Sequence, residues 1–117
     1  MDIINEFYRK AYDAASEAER MSQYTCVGRM ECNDGYHVSV QAGKGKYSQP
    51  RCKANAYYKF ELGFPSAEDE LLRDYCEDPD RPTDTVYGYV PVSVLVELVE
   101  KHGGIKGIYV YPKEKKE

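Results

Sequence analysis

From Asp2 to about Arg20, apolar residues recur at intervals of three and four: Ile3, Ile4, Phe7, Tyr8, Ala11, Ala14, Ala15 and Ala18. That spacing is the period of an α-helix with one buried stripe. Asn5, Glu6, Arg9, Asp13, Ser16 and Glu17 fall on the opposite face, which predicts a surface helix. The period then shortens to that of a strand. A stretch from about Gln23 to Cys32, the turn-forming Asn33-Asp34-Gly35, and Tyr36 to Ala42 predict a β-hairpin, since Asn, Asp and Gly tolerate the backbone of a tight turn. In the second strand Tyr36, Val38, Val40 and Ala42 alternate with His37, Ser39 and Gln41, which predicts one buried face and one wet face.

The alternation resumes over 54–62. Ala54, Ala56, Tyr58, Phe60 and Leu62 share the face expected to be buried, and Asn55, Tyr57, Lys59 and Glu61 the other. Ser66 then fits the N-cap of a short helix ending near Cys76, with Asp69 at its third position. Prolines and aspartates make 77–84 a turn-rich acidic loop. Residues 85–90 are a fourth strand. Pro91 suits the first turn of a helix whose stripe of Val92, Leu95, Val96, Leu98 and Val99 stops at His102, before Gly103-Gly104. Residues 105–111 are the fifth strand. The order αβββαβαβ predicts an α+β fold: an antiparallel meander extended by a strand-helix-strand unit, giving about five mostly antiparallel strands with helices packed on them. Residues 1–112 make one domain in this reading, and 113–117 a charged tail with nothing to bury.

Composition narrows the function classes. A chain of 117 residues has room for one core, and 42% hydrophobic with 31% charged residues is too mixed for disorder. No window approaches the roughly 18 apolar residues of a membrane span, and MDIINEFYRK is unlike a secretory leader, so the expected place is the cytosol, with no membrane partner. Of the four cysteines, Cys26 and Cys32 lie on one expected strand, about 20 Å apart at ~3.3 Å per residue, too far to bridge. Cys52 and Cys76 could meet in space, but in that compartment reduced, buried thiols are the expectation.

The net charge of −4 argues against general nucleic-acid binding, but charge is unevenly spread. Residues 43–53, GKGKYSQPRCK, carry Lys44, Lys46, Arg51 and Lys53 and no acid. The stretch 66–84 sets Glu68, Asp69, Glu70, Asp74, Glu77, Asp78, Asp80 and Asp84 against Arg73 and Arg81. In the basic loop, two glycines allow close backbone approach, and Lys44, Lys46, Ser48 and Arg51 are donors suited to a phosphate or carboxylate. The pattern is neither a Walker loop nor a dinucleotide fingerprint. Twelve tyrosines and no tryptophan offer a second kind of surface, apolar with a hydrogen-bonding tip. Tyr47 and Tyr57 are its candidates, with whichever of Tyr87, Tyr89, Tyr109 and Tyr111 are exposed. For catalysis only His37 and His102 are at hand, and no nucleophile pattern surrounds them. His102 at a helix C-terminus is accounted for by the helix dipole. The cysteines lack a CxxC pair, so no metal or cofactor site is expected.

The strings HVSVQAGKGKYSQPR at 37–51, ELGFPS at 61–66 and VYGYVPVSVLVELVEKHGGI at 86–105 resemble a family of small accessory proteins of bacteria and their mobile elements. The likeness covers 36–105 and carries over no catalytic or binding residue. It implies a small acidic cytosolic protein that acts by binding another macromolecule, phage-encoded inhibitors of host defence among the examples. The expected function is thus a non-catalytic protein-interaction module using Lys44, Lys46, Tyr47, Ser48, Arg51 and Tyr57. The alternative is a binder of a small anion or nucleotide, conceivably an enzyme, through 43–53. Nucleic acid ranks below both.

Overall fold

In the computed structural model, which describes residues 2–17 and 27–110, the chain opens with helix α1 (Ile3–Ala14). The Asp2 carboxylate caps it, accepting from the backbone N–H groups of Ile4 and Asn5 at 3.0 and 2.8 Å. Ile4, Phe7, Tyr8 and Ala11 are buried as the period requires. The helix ends at Ala14, where Ala15 takes up extended backbone; its buried stripe has run out at Ala11 and Ala14 is already exposed. The remainder of that expected helix, 18–20, lies outside the described residues, as do Gln23–Cys26 of the first expected strand and the 113–117 tail.

Five strands follow: β1 (Met30–Cys32), β2 (His37–Gln41), β3 (Lys59–Gly63), β4 (Val86–Pro91) and β5 (Ile105–Ile108). They form one sheet in the order β4-β3-β2-β1-β5, every neighbouring pair antiparallel. Consequently β4 and β5 run the same way at opposite edges, and helix α2 (Val92–Lys101) carries the chain between them. The fold is α+β, a single compact domain. Paired residues share a face, so Met30 with Val38, Val40 with Leu62 and Phe60 with Val90 make the core side of the sheet. Ile4, Phe7 and Tyr8 from α1 and Leu95, Leu98 and Val99 from α2 join them in one cluster. Gly103, at φ 86°, ends α2 where a side chain would be strained.

Two expectations about polarity change. The face of β2 predicted to be wet is buried at Ser39 and Gln41. Opposite Gln41 the chain before β1 no longer pairs through its backbone. The Gln41 side-chain amide takes over, accepting from Val27 N–H at 3.2 Å and donating to Val27 C=O at 2.9 Å. An amide that satisfies backbone in this way can be buried without leaving polar groups unpaired. Arg29, also buried, donates to His37 Nδ1 and to the carbonyls of His37 and Phe64. With Nδ1 accepting, His37 is held neutral; burial and the adjacent guanidinium both lower its pKa.

The second change concerns 54–58, which is not a strand. Asn5, buried in α1, accepts from Tyr57 N–H through Oδ1 and donates to Tyr57 C=O through Nδ2, both at 2.7 Å. The chain bends at Tyr58 before β3 begins, and the bend shifts the alternation by one. Tyr57, expected on the polar face, is therefore 6% exposed and packs edge-on against Tyr8. Tyr58, expected in the core, is 64% exposed.

A 3-10 helix (Glu70–Tyr75) replaces the helix expected from Ser66, and its N-cap is Asp69, not Ser66. Ser66 instead bonds β2, accepting from His37 N–H and donating its own N–H to His37 C=O. Asp69 is only 6% exposed and ties the 3-10 helix to the end of α2. Its Oδ1 accepts from Leu71 N–H and Lys101 Nζ, and its Oδ2 lies 2.8 Å from His102 Nε2. The other ring nitrogen of His102 is 2.6 Å from Asp34 Oδ2 in the hairpin turn, and the ring stacks on Tyr36 at 4.1 Å. Carboxylates only accept, so the ring that satisfies both is the doubly protonated form.

Replacing Asn5 with Leu strands the buried N–H and C=O of Tyr57, and at about 1–3 kcal/mol per group the expected loss is about 2–6 kcal/mol in urea unfolding. Asn55→Ala, at an exposed position, should stay within about 0.5 kcal/mol. Acid stability tests the clasp around His102. Burial opposes ionisation of Asp69, but hydrogen bonds from His102, Leu71 and Lys101 outweigh it; at Asp34 the Tyr36 N–H and then His102 act the same way. Both carboxyls sit below their ordinary 3.8. Their contribution is therefore complete above the unfolded value and lost as pH falls through the folded ones, from roughly pH 4 downward. Urea midpoints should fall over that window and fall less steeply in His102→Ala; an unchanged slope in the variant would contradict the clasp.

Candidate functional site

The basic loop folds on its own hydrogen bonds. Ser48 is fully buried: its hydroxyl accepts from Gly43 N–H at 3.0 Å and donates to Pro50 C=O at 2.8 Å. Lys46 N–H donates to Gly43 C=O and Ser48 N–H to Lys46 C=O. Arg51 Nε also donates to Lys46 C=O, at 3.2 Å. The Lys46 side chain is itself buried and has an interaction of its own. Of the donors expected to cradle an anion, the Ser48 hydroxyl and these backbone amides are engaged inside the loop. Lys44 is exposed at its tip.

The loop presents an aromatic surface instead. Tyr47 N–H donates to Glu61 Oε1 of β3 at 3.1 Å, and Tyr47 C=O accepts from Tyr89 N–H of β4 at 2.9 Å. With its backbone fixed on both sides, the Tyr47 side chain is 39% exposed. Gly88 makes the docking fit, because a Cβ there would come 3.3 Å from Tyr47 Cβ. Tyr89 is half-buried with φ at 54°, in the left-handed region that a bulky residue avoids at a cost of about 1–3 kcal/mol. The Tyr47 and Tyr89 rings lie 5.8 Å apart, and the Arg51 guanidinium sits 5.5 Å above Tyr47.

Tyr58 belongs to the same region. Its N–H donates to Gln49 C=O, two residues beyond Tyr47, and its C=O accepts from Val92 N–H, three residues beyond Tyr89. Thus the structure brings together Tyr47 and Arg51 from the expected set, keeps Lys44 nearby on the loop, buries Lys46 and Ser48, and assigns Tyr57 to the core. Tyr58 and Tyr89 join them. Tyr58 was hidden by the parity change at its bend, whereas Tyr89 was already among the tyrosines whose exposure the alternation left open.

The acidic stretch attaches to the other end of β4. Cys76 bridges to Tyr87, Glu77 N–H donates to Val86 C=O, and the Tyr87 hydroxyl donates to Pro82 C=O. Arg81 pairs with Asp84 within this loop. Basic and acidic segments therefore flank one edge strand. Cys32, Cys52 and Cys76 are free thiols, and burial pushes that of Cys32 up to about 11. Among the described residues, no group of three or more His, Cys, Asp and Glu is arranged to hold a metal ion, and no helix is long and apolar enough to cross a membrane. No family model, no curated protein and no solved structure matches the chain.

Proposed function

We propose that this protein is a non-catalytic interaction module that binds another protein through the surface formed by Tyr47, Tyr58, Tyr89 and Arg51. The carrying observation is that Tyr47 is held by backbone hydrogen bonds on both sides while its side chain stays open to water. A large aromatic fixed before binding loses little conformational freedom on contact, the property of an interface anchor. Arg51 stacked on it adds the residue type that most often accompanies tyrosine at such centres. The strained backbone of Tyr89 supports the reading, since strain of this kind collects where function requires a set geometry. The anion reading of 43–53 loses support, because Ser48 and the loop amides bond within the loop.

The test is affinity capture from host lysate, with and without nuclease, comparing the native chain with Tyr47→Ala/Tyr58→Ala and Arg51→Ala. The expected result is one protein retained under both conditions by the native chain and weakened about thirtyfold or more by the double variant, the size of a hot-spot loss. Melting curves of both variants should match the native one. Tyr57→Ala cannot serve as a surface probe, since it empties a core position. Undiminished capture by the double variant, or capture abolished by nuclease, would sink the proposal.

A further inference from the structure

A cleft of about 290 Å³ lies between α1 and residues 53–57, apart from the tyrosine surface. Its wall is aromatic. Tyr8 and Tyr12 stand one helical turn apart with ring centres at 6.2 Å, and Tyr57 meets Tyr8 edge-on at 5.7 Å. The polar atoms along this wall are already bonded within the protein. The Tyr8 hydroxyl donates to Ala42 C=O, the Tyr57 hydroxyl accepts from Ala54 N–H, and the Asn5 amide is taken up by Tyr57 and Asp2. What the wall offers a ligand is ring surface, chiefly that of half-buried Tyr12, with only the edges of Tyr8 and Tyr57, 7% and 6% exposed, reaching the cleft. Charge enters at the rim, where Arg9 comes from α1 and Lys53 from the basic loop, with Lys53 Nζ 5.7 Å from the Tyr12 ring centre. Both are exposed, and neither makes an ion pair with another described residue. Asp13, which has an interaction of its own, lines the same cleft, so among the described residues its charged lining is Arg9, Lys53 and Asp13.

We propose that this cleft binds a small aromatic carboxylate, its ring against Tyr8, Tyr12 and Tyr57 and its carboxylate between Arg9 and Lys53. Ligand clefts commonly span roughly 300–1,000 Å³, so this one suits an occupant of about one or two rings. The Asp13 carboxylate beside the two cations repels a phosphate dianion more than a monoanion. Two cations reaching from separate elements can each hydrogen-bond one carboxylate oxygen. Sequence reading assigned an anion to the 43–53 loop; the cleft places it at the end of that loop, where Lys53 meets the helix.

The experiment titrates the intact protein with β-naphthoate, following its fluorescence and the amide and Tyr signals by NMR. Saturable binding with shifts at Arg9, Tyr12 and Lys53 is expected. Arg9→Gln and Lys53→Gln should each weaken it about tenfold to a hundredfold with unchanged melting curves, as expected for loss of one charged hydrogen bond. β-Naphthamide and the decahydro carboxylate should bind more weakly, and β-naphthyl phosphate no more tightly. Tyr47→Ala/Tyr58→Ala should bind β-naphthoate like the native chain, which separates this site from the protein-binding surface. Absence of saturable shifts, affinity unchanged in both rim variants, or equal binding of the amide or the saturated acid would overturn the proposal. A tighter phosphate would overturn the monoanion assignment.

Discussion

The buried amide of Asn5 decides how much of this molecule is arranged. It does for Tyr57 what a neighbouring strand would do, offering one acceptor and one donor to the two backbone groups of a single residue. A helix side chain thereby acts as a piece of sheet. The segment before β3 is released from ladder pairing, and Tyr57 turns inward onto Tyr8. Tyr58 is left outside. Gln41 repeats the device at Val27, where a side-chain amide continues the contact after the backbone ladder stops. Both amides are buried although the periodicity assigned them to polar faces. Each is tolerated because both of its polar ends are satisfied.

That arrangement divides the tyrosines between two roles. Tyr8 and Tyr57 support the core and line a cleft, while Tyr47 and Tyr58 are carried outward on backbone anchored to the β3–β4 end of the sheet. The basic loop closes onto one end of β4 and the acidic loop onto the other, so the strand separates two patches of opposite charge. A partner approaching this edge meets a field with direction, which orients an encounter before contact is made. The same loop ends at Lys53, beside the cleft.

Much of the architecture was legible because it is local. The 3.6-residue period marked α1 and α2, Asn33-Asp34-Gly35 marked the hairpin, and Gly103 marked the end of α2. Antiparallel pairing of β1 with β2 followed from the short turn between them. What escaped was non-local. Ser66 and Asp69 are both acceptable caps in isolation, and Asp69 prevails where Lys101 and His102, more than thirty positions away, converge on it. His102 was accounted for by its place at a helix end, whereas the structure gives it two carboxylates and a tyrosine ring. At the candidate site, Tyr47 was expected as part of a tyrosine surface and Arg51 as an anion donor, and the structure sets one over the other. The burial of Ser48 and the exchange of Tyr57 for Tyr58 depended on partners that no periodicity reveals.

The strand order also constrains how the chain comes together in time. β1, at residues 30–32, lies between β2, which follows almost at once, and β5, which arrives only at residues 105–108. Until then one edge of β1 stands open while the β4–β3–β2 meander can already form. Closing that last pair joins segments separated by most of the chain, the kind of contact that slows folding and prolongs exposure of an unpaired edge. During synthesis the hairpin thus waits for the C-terminal strand. The two α2-linked parallel edges are the outcome of a fold completed from its end backwards.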